Sequence, residues 1–444
     1  MNIPEYTRYI IRILASKGHI AYLAGGCVRD MLLGVEPHDY DIATNATPEQ
    51  VQSYFEKTVS VGAAFGVIIV QVDGNSCEVA TFRDDGLYVD GRRPESVEYS
   101  NPEKDAQRRD FTINALFYDV ITEKVIDYVG GEKDLKDRIL KAVGDPNKRF
   151  EEDLLRVLRA IRFSVRFDLA IEDKTKYAMF FAASKLYRLS AERIRDELTK
   201  MFMGSNPGAA FELLHYYAIF RYLLPEIEKL WGVKQPKQWH PEGDVFIHTK
   251  LCLEKLEAPY NQDVACVWAA VLHDIGKPDA YDVNRAAGAS HAGGHDRIGA
   301  ALAKDILERY KFSNQIIEEV CYIISEHMTF SNVKEMKKSK LRTFLGHPQI
   351  NKLLAVHKAD CLASHADLSA HFCCVNKIEE WGKETILPPP LINGLDLMGL
   401  GMTPGPRFGK ILNHIREMQL SDEIKTKKEA LEAVLHLPRA QFNN

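Results

Sequence analysis

The 444-residue chain has no apolar run approaching the ~18 residues a membrane helix needs, and its opening MNIPEYTRYI lacks a signal-peptide pattern. Its eight cysteines are scattered with no Cys-x-x-Cys spacing, and only Cys373 and Cys374 are adjacent. That usage argues against a disulfide framework or a thiolate zinc site and for reduced thiols in a cytoplasmic protein. An excess of positive charge is also missing: the net charge is −5. Any nucleic-acid partner must therefore be held by local basic patches rather than by a global field. Two such patches are present, Lys185, Arg188, Arg193, Arg195 and Lys200, and Lys334, Lys337, Lys338, Lys340 and Arg342. Each reads equally well as a solvated helix face. No internal repeat or low-complexity tract occurs. With 45% hydrophobic and 27% charged residues the chain is of globular, soluble type, with length for about three domains.

What is there divides in two. Residues 1 to 142 mix short helices with strand-like runs such as Val67 to Val72 and Glu78 to Phe82. From 143 onward, amphipathic helical periodicity covers 150 to 167, 191 to 203, 245 to 256, 265 to 273, 298 to 310, 315 to 327 and 407 to 420. Pro388-Pro389-Pro390 marks a linker, and Pro404-Gly405-Pro406 a turn.

Residues 25 to 44, GGCVRDMLLGVEPHDYDIAT, carry the densest chemistry. The apolar run Ile20 to Ala24, the pair Gly25-Gly26 and the amphipathic Val28, Met31, Leu32 and Leu33 read as strand, tight turn and helix. Glycines let backbone N–H groups approach an anion, a helix start favours negative charge, and Arg29 adds a cation, so a triphosphate fits there. Asp39 and Asp41 fall in a strand-like alternation that projects both carboxylates from one face. Such a pair is suited to divalent cations, as in two-metal nucleotidyl transfer.

Further along, Glu78 precedes a polar loop from Asp84 to Arg93 that reads as mobile. Glu78 is a further carboxylate, read as an exposed strand residue. Arg108-Arg109-Asp110 opens an apparent amphipathic helix through Leu116. The stretch Glu152 to Arg162 reads as one helix with Leu154, Leu158 and Ile161 on its apolar side. Asp153 and Arg156, three residues apart, match the Watson–Crick edge shared by cytosine and adenine: an acceptor for the amino group and a donor for the ring nitrogen. Uracil and guanine reverse that pattern and leave buried groups unpaired at about 1–3 kcal/mol each.

These motifs together, GGxVRDxLLG with DYD, EVATFR, RRDFTINAL, Asp127 to Leu140, EDLLR and LSAERIRDEL at 189 to 198, resemble the class II tRNA nucleotidyltransferases, the CCA-adding family. The resemblance spans the first 200 residues; Lys141 stands where many relatives carry arginine. It implies an α+β chain. A polymerase-beta-like nucleotidyltransferase head (1–142) is followed by an all-α neck (143–205), body (206–390) and tail (391–444). It implies that Gly26, Arg29, Arg109, Asp153, Arg156, Arg159 and Arg162 contact the incoming CTP or ATP, that Asp39 and Asp41 hold Mg²⁺, and that the acceptor is a tRNA 3′ end.

A second constellation lies between 240 and 365: His248, the adjacent His273-Asp274, and Asp360 in HKADCLASH. Imidazole and carboxylate ligands spread over several helices suit a divalent hydrolytic centre. Their spacing resembles the HD phosphohydrolases, with His248, His273, Asp274 and Asp360 as ligands to a metal of unassigned identity; His295 and His327 would extend the set to a second metal. The competing expectations are an A-adding enzyme, a bacterial poly(A) polymerase, and a chain that is chiefly an HD phosphohydrolase. The Asp84–Arg93 loop disfavours a CC-only enzyme, and the absence of basic residues in Val61 to Val67 disfavours the poly(A) polymerase. The A-adding reading stays open.

Overall fold

The computed structural model describes residues 3–62, 66–85, 97–286, 292–382 and 385–437. Most of the expected loop at 84–93, and part of the Val61–Val67 segment, lie outside them. The chain packs as two compact units, Met1–Pro225 and Glu226–Asn444.

In the first unit the strands up to residue 126 are β1 (Ala21–Ala24), β2 (Asp41–Thr44), β3 (Thr58–Gly62), β4 (Val67–Val72), β5 (Asn75–Thr81), β6 (Arg83–Asp85), β7 (Val97–Tyr99), β8 (Phe117–Asp119) and β9 (Lys124–Ile126), and Ile139–Leu140 pairs separately with Ala170–Ile171. Seven of them form one mixed sheet in the order β3-β4-β5-β2-β1-β8-β9. Its centre pairs β1 antiparallel to β2 and β2 parallel to β5, with Asp41 opposite Glu78 and Thr44 opposite Thr81. Phe82 and Phe117 meet edge-on at 5.9 Å, and Tyr22 tilts against both, closing a core with Ala24, Ala43 and Ala115.

The first unit's helices up to residue 202 are α1 (Glu5–Ser16), α2 (Gly26–Leu32), α3 (Pro48–Tyr54), α4 (Pro102–Gln107), α5 (Gly131–Lys136), α6 (Pro146–Glu152), α7 (Leu155–Phe167), α8 (Asp173–Ala183) and α9 (Ala191–Phe202). Two sequence expectations change here. The helix expected over 150–167 is broken: Asp153 takes extended backbone angles, φ −148° and ψ 103°, between α6 and α7. The cause is its own carboxylate, whose Oδ1 accepts the Leu155 N–H at 3.0 Å and starts a new helix instead of continuing the old one. The helix expected from Arg108 is likewise absent. Asp110 Oδ1 accepts the Phe111 N–H at 2.8 Å and Asn114 Nδ2 at 3.0 Å, leaving a single 3-10 turn, Thr112–Asn114, before β8.

Among the described residues the second unit is built of helices, with an isolated bridge between Lys234 and Asp244. At its centre is Val264–Leu272, whose described residues from Ala265 onward are all buried. A helix apolar on every side must be enclosed by others; Val245–Lys255, Asn314–Glu326 and Ile350–Ala363 pack on it. A separate small core of Ile392, Leu397, Ile411, Ile415, Ile424, Ala430 and Val434 holds the last helices together. Among the described residues no helix is long and apolar enough to cross a membrane.

Candidate active sites

The first site grows from the end of β1. Gly25 turns the chain with φ 73° before α2 starts at Gly26. A Cβ on Gly25 would lie 2.7 Å from Arg109 Nη1, so the backbone angle favours glycine and any side chain there would displace Arg109. Arg109 is in turn fixed: Nη1 donates to the Asn114 carbonyl at 3.1 Å, and Nε and Nη2 donate to Asp105 Oδ2 at 3.1 and 2.9 Å. The other oxygen of the buried Asp105 accepts Arg108 Nε and Nη2 at 2.9 and 2.6 Å. One carboxylate thus orients both adjacent arginines. Burial opposes its ionisation, but Arg109 and Arg108 outweigh that and hold it below the ordinary carboxylate range.

Asp41 begins β2, and Asp39 lies two residues earlier in an exposed bend. Burial and then Glu78, its register partner on β5, push the Asp41 carboxyl up to about 6, with Asp39 adding to the rise and Arg109 opposing it. Asp41 thus meets the repulsion of two neighbouring carboxylates, Glu78 across the strand pair and Asp39 two residues earlier, and a divalent cation bound by Asp41 would relieve it. Glu78 is exposed as expected, yet the parallel pairing makes it the nearest strand neighbour of Asp41.

The other expected nucleotide contacts are held in ion pairs. Arg29, 4% exposed, gives Nε and Nη2 to Asp30 Oδ1 at 2.8 and 2.6 Å and Nη1 to Asn114 Oδ1, with its guanidinium 4.2 Å from the Phe167 ring centroid. Arg156 donates to Glu152 Oε2 at 2.6 Å and to the Arg149 carbonyl at 2.8 Å. Arg159 binds Asp110 Oδ2 through Nε and Nη2 at 2.8 and 2.6 Å, and Arg162 Nε donates to Glu197 Oε2 at 2.6 Å. Asp153 Oδ2 accepts Arg193 Nη2 at 2.7 Å. Asp153, Arg156, Arg159 and Arg162 thus share the α6–α7 segment, tied to Asp110 before β8 and to α9.

The second site gathers side chains from five stretches of the second unit. His248 comes from Val245–Lys255, His273 and Asp274 follow Val264–Leu272, His295 opens His295–Arg309, His327 follows Asn314–Glu326, and Asp360 lies in Ile350–Ala363. Gly276 permits this approach: a Cβ there would lie 2.2 Å from the His295 carbonyl oxygen. His248 Nε2 is 3.0 Å from Asp360 Oδ1 and 3.3 Å from His273 Nε2; His295 Nε2 is 3.1 Å from His327 Nε2. Asp274 joins the two groups, Oδ2 lying 3.3 Å from His273 Nε2 and Oδ1 3.5 Å from His295 Nε2.

Tautomers follow from the outer nitrogens. The Nδ1 atoms of His273, His295 and His327 lie 2.9, 2.8 and 2.6 Å from the carbonyls of Ala270, Ala292 and Ile324, to which only an N–H can donate. Neutral rings so arranged turn unprotonated Nε2 atoms inward, the form that binds metal. Burial lowers His295, and burial with His295 and His273 takes His327 down to about 4, keeping both neutral. Burial also opposes the charge on His248, but Asp360 and Glu242 outweigh it and raise that ring to about 9. Lys277 Nζ, 2.7 Å from Asp274 Oδ2, supplies a further cation at the rim.

Both parts of the chain match known families. Residues 21–141 match the Poly A polymerase head domain, residues 168–230 the probable RNA and SrmB-binding site of polymerase A, and residues 245–364 the HD domain. The CCA-adding enzyme of Lactobacillus helveticus is 31% identical over 434 residues, covering 96% of this chain and 95% of that relative. The chain belongs to the CCA-adding enzymes. The family's enzyme from Ligilactobacillus salivarius is likewise 31% identical, across 97% of this chain and 96% of its own length. The crystal structure of the Bacillus stearothermophilus CCA-adding enzyme in complex with CTP superposes with a TM-score of 0.76 at 26% identity, covering 99% of each chain. The chain is therefore a tRNA nucleotidyltransferase with a mixed-sheet head, a helical remainder and an HD domain.

Within this CCA-adding chain, Asp105 and Glu242 were not singled out from the sequence, Arg193 and Glu197 were read only as part of a basic patch or motif, and Asp110 only as part of a helix start. Glu242 Oε1 lies 2.8 Å from His248 Nδ1 and 2.9 Å from His240 Nδ1. The alternating charges of RRD and ERIRDE were the available signal, but partners 35 to 49 residues apart are not encoded in local spacing. The basic patches are partly spent on structure. Arg193 serves Asp153, Lys200 Nζ is 3.8 Å from Glu197, and Lys338 and Arg342 both bind Asp422.

Proposed function

We propose that the chain adds C, C and A, without a nucleic-acid template, to the 3′ end of tRNA, using CTP and ATP and releasing pyrophosphate. The observation that carries this reading is the pairing of Asp41 with Glu78 across β2 and β5, with Asp39 and Arg109 acting on the same carboxyl. Asp39 and Asp41 would hold Mg²⁺, which supplies a lowered pKa for the attacking 3′ hydroxyl and charge neutralisation for the leaving pyrophosphate. The protein's own share is positioning. The Gly25–Gly26 turn presents backbone N–H groups at the start of α2, and Arg109, held by Asp105, offers a fixed positive charge to the triphosphate. Arg29, Arg159 and Arg162, each paired with a carboxylate, are further nucleotide contacts in this reading. Asp153 accepts the amino group of cytosine or adenine, and Arg156 donates to the ring nitrogen. Head 1–142, neck 143–205, body 206–390 and tail 391–444 are the divisions of this reading, and the cytoplasm its location. Incorporation of labelled CTP and ATP into tRNA by Asp41→Ala is the test; incorporation at the wild-type rate would refute it.

A second activity is favoured by the inward-facing Nε2 atoms of the HD domain. His248, His273, Asp274 and Asp360 would hold one divalent cation, and Asp274 with His295 and His327 another; each trio His248–His273–Asp274 and Asp274–His295–His327 offers ligand atoms within 4.8 Å of one another. Bound there, such cations supply an activated water and polarise a phosphoryl oxygen. The reaction is hydrolysis of a phosphomonoester or a 2′,3′-cyclic phosphodiester. Metal-dependent hydrolysis that is unchanged in His273→Ala and Asp274→Ala would refute it.

A further inference from the structure

We infer that Arg193, on α9, is a specificity-positioning residue: it sets the orientation in which Asp153 meets the incoming base. This rests on the reading of Asp153 as the acceptor of the base amino group. Asp153 sits at the break between α6 and α7 with extended backbone angles, so the orientation of its carboxylate depends on what its two oxygens bind. Oδ1 accepts the Leu155 N–H at 3.0 Å, and Oδ2 accepts Arg193 Nη2 at 2.7 Å. Each oxygen keeps a lone pair, and the side chain is 16% exposed, enough to receive one more donor.

The tether comes from a rigid source. Four residues along the same helix, Glu197, 5% exposed at its side chain, accepts Arg162 Nε at 2.6 Å. Residues at i and i+4 share a helix face. One turn of α9 therefore grips the segment at Asp153 through a cation and at Arg162 through an anion. Nothing in the main chain substitutes for the first grip. With Arg193 removed, Asp153 keeps the Leu155 N–H on Oδ1 but loses the partner that fixes Oδ2, so the acceptor no longer holds the position that separates C and A from U and G.

The consequence is a selectivity effect. Losing a charge-assisted hydrogen bond that holds an acceptor is worth about 10- to 100-fold in rate. Arg193→Ala should lower kcat/KM for CTP by that factor and narrow the CTP-over-UTP ratio, Arg193→Gln should fall between it and wild type, and Arg193→Lys should restore most of the ratio. The experiment measures kcat and KM for CTP and UTP on tRNA lacking its CCA end, with the full-length wild type, these variants, Asp153→Ala, and the double variant Asp153→Ala/Arg193→Ala. The inference is supported if Arg193→Ala and Asp153→Ala relax the ratio alike and the double variant relaxes it no further. It is overturned, with the Asp153 reading intact, if Asp153→Ala relaxes the ratio but Arg193→Ala and Arg193→Gln lower both nucleotides equally, as a merely structural tie would. An unchanged ratio in Asp153→Ala removes the Asp153 reading and this inference with it.

Discussion

Replacing Asp41 by asparagine should stabilise the protein while abolishing nucleotide incorporation. The folded structure raises the Asp41 carboxyl from 3.8 to about 6, through burial and then Glu78. A shift of that size corresponds to about 3 kcal/mol at 1.36 kcal/mol per pKa unit. Because Asp41 is only partly buried and Glu78 is exposed, solvent screening reduces this to about 1–2 kcal/mol. The sign follows from linkage. Since the folded value lies above the unfolded one, the unfolded chain releases its proton first, and stability falls as pH rises from about 4 to about 6. Asparagine, uncharged and of the same shape, does not incur that loss. In EDTA at pH 7.5, Asp41→Asn should therefore melt higher by about 2–8 °C, given 2–4 °C per kcal/mol for a unit of this size. The difference should shrink toward pH 4. Added Mg²⁺ should raise the wild-type melting temperature and leave the variant unmoved. Scanning calorimetry across pH 4 to 8 decides it: no gain for Asp41→Asn at pH 7.5 in EDTA, or a gain independent of pH, would refute the reasoning.

Three other outcomes are expected. Gly25→Ala should lose about 1–2 kcal/mol in urea denaturation from strain at φ 73°, and should slow incorporation because its methyl displaces Arg109; wild-type values of both would contradict the turn's assigned role. Asp110→Asn, which leaves Arg159 without the carboxylate oxygen that accepts both its Nε and Nη2, should cost about 2–4 kcal/mol at pH 7. Burial opposes the Asp110 charge but Arg159 outweighs it and lowers the carboxyl, so this cost, read from denaturation midpoints, should diminish as pH falls below about 4. Asp274→Ala should reduce bound Mn²⁺ by more than His273→Ala does, because its two oxygens face separate histidine groups; equal losses by elemental analysis would count against a shared ligand.

What could be read from the residues was whatever local chemistry dictates. Ile20 to Leu33 announced strand, turn and helix because glycine pairs and apolar periodicity act over a few residues, and β1, Gly25 and α2 follow that pattern. His273-Asp274 stood out because two adjacent ligands end an apolar run, and the described structure brings His248 and Asp360 to them. The break at Asp153 was not legible, since apolar spacing through Leu154, Leu158 and Ile161 continues across it. A side chain that bonds its own backbone leaves that spacing intact. Nor were the arginine partners legible. Arg159 could have faced solvent or any carboxylate, and only tertiary packing sets Asp110 against it.

The central claim, ordered addition of C, C and A, is tested most directly by product length. tRNA transcripts lacking the CCA end, carrying its first C, or carrying both C residues are incubated with CTP, ATP or the two together. The account predicts two added residues on the first transcript with CTP alone, three with both nucleotides, and one on the third with ATP alone. Extension of only the third transcript, or long runs of A on any of them, would contradict it.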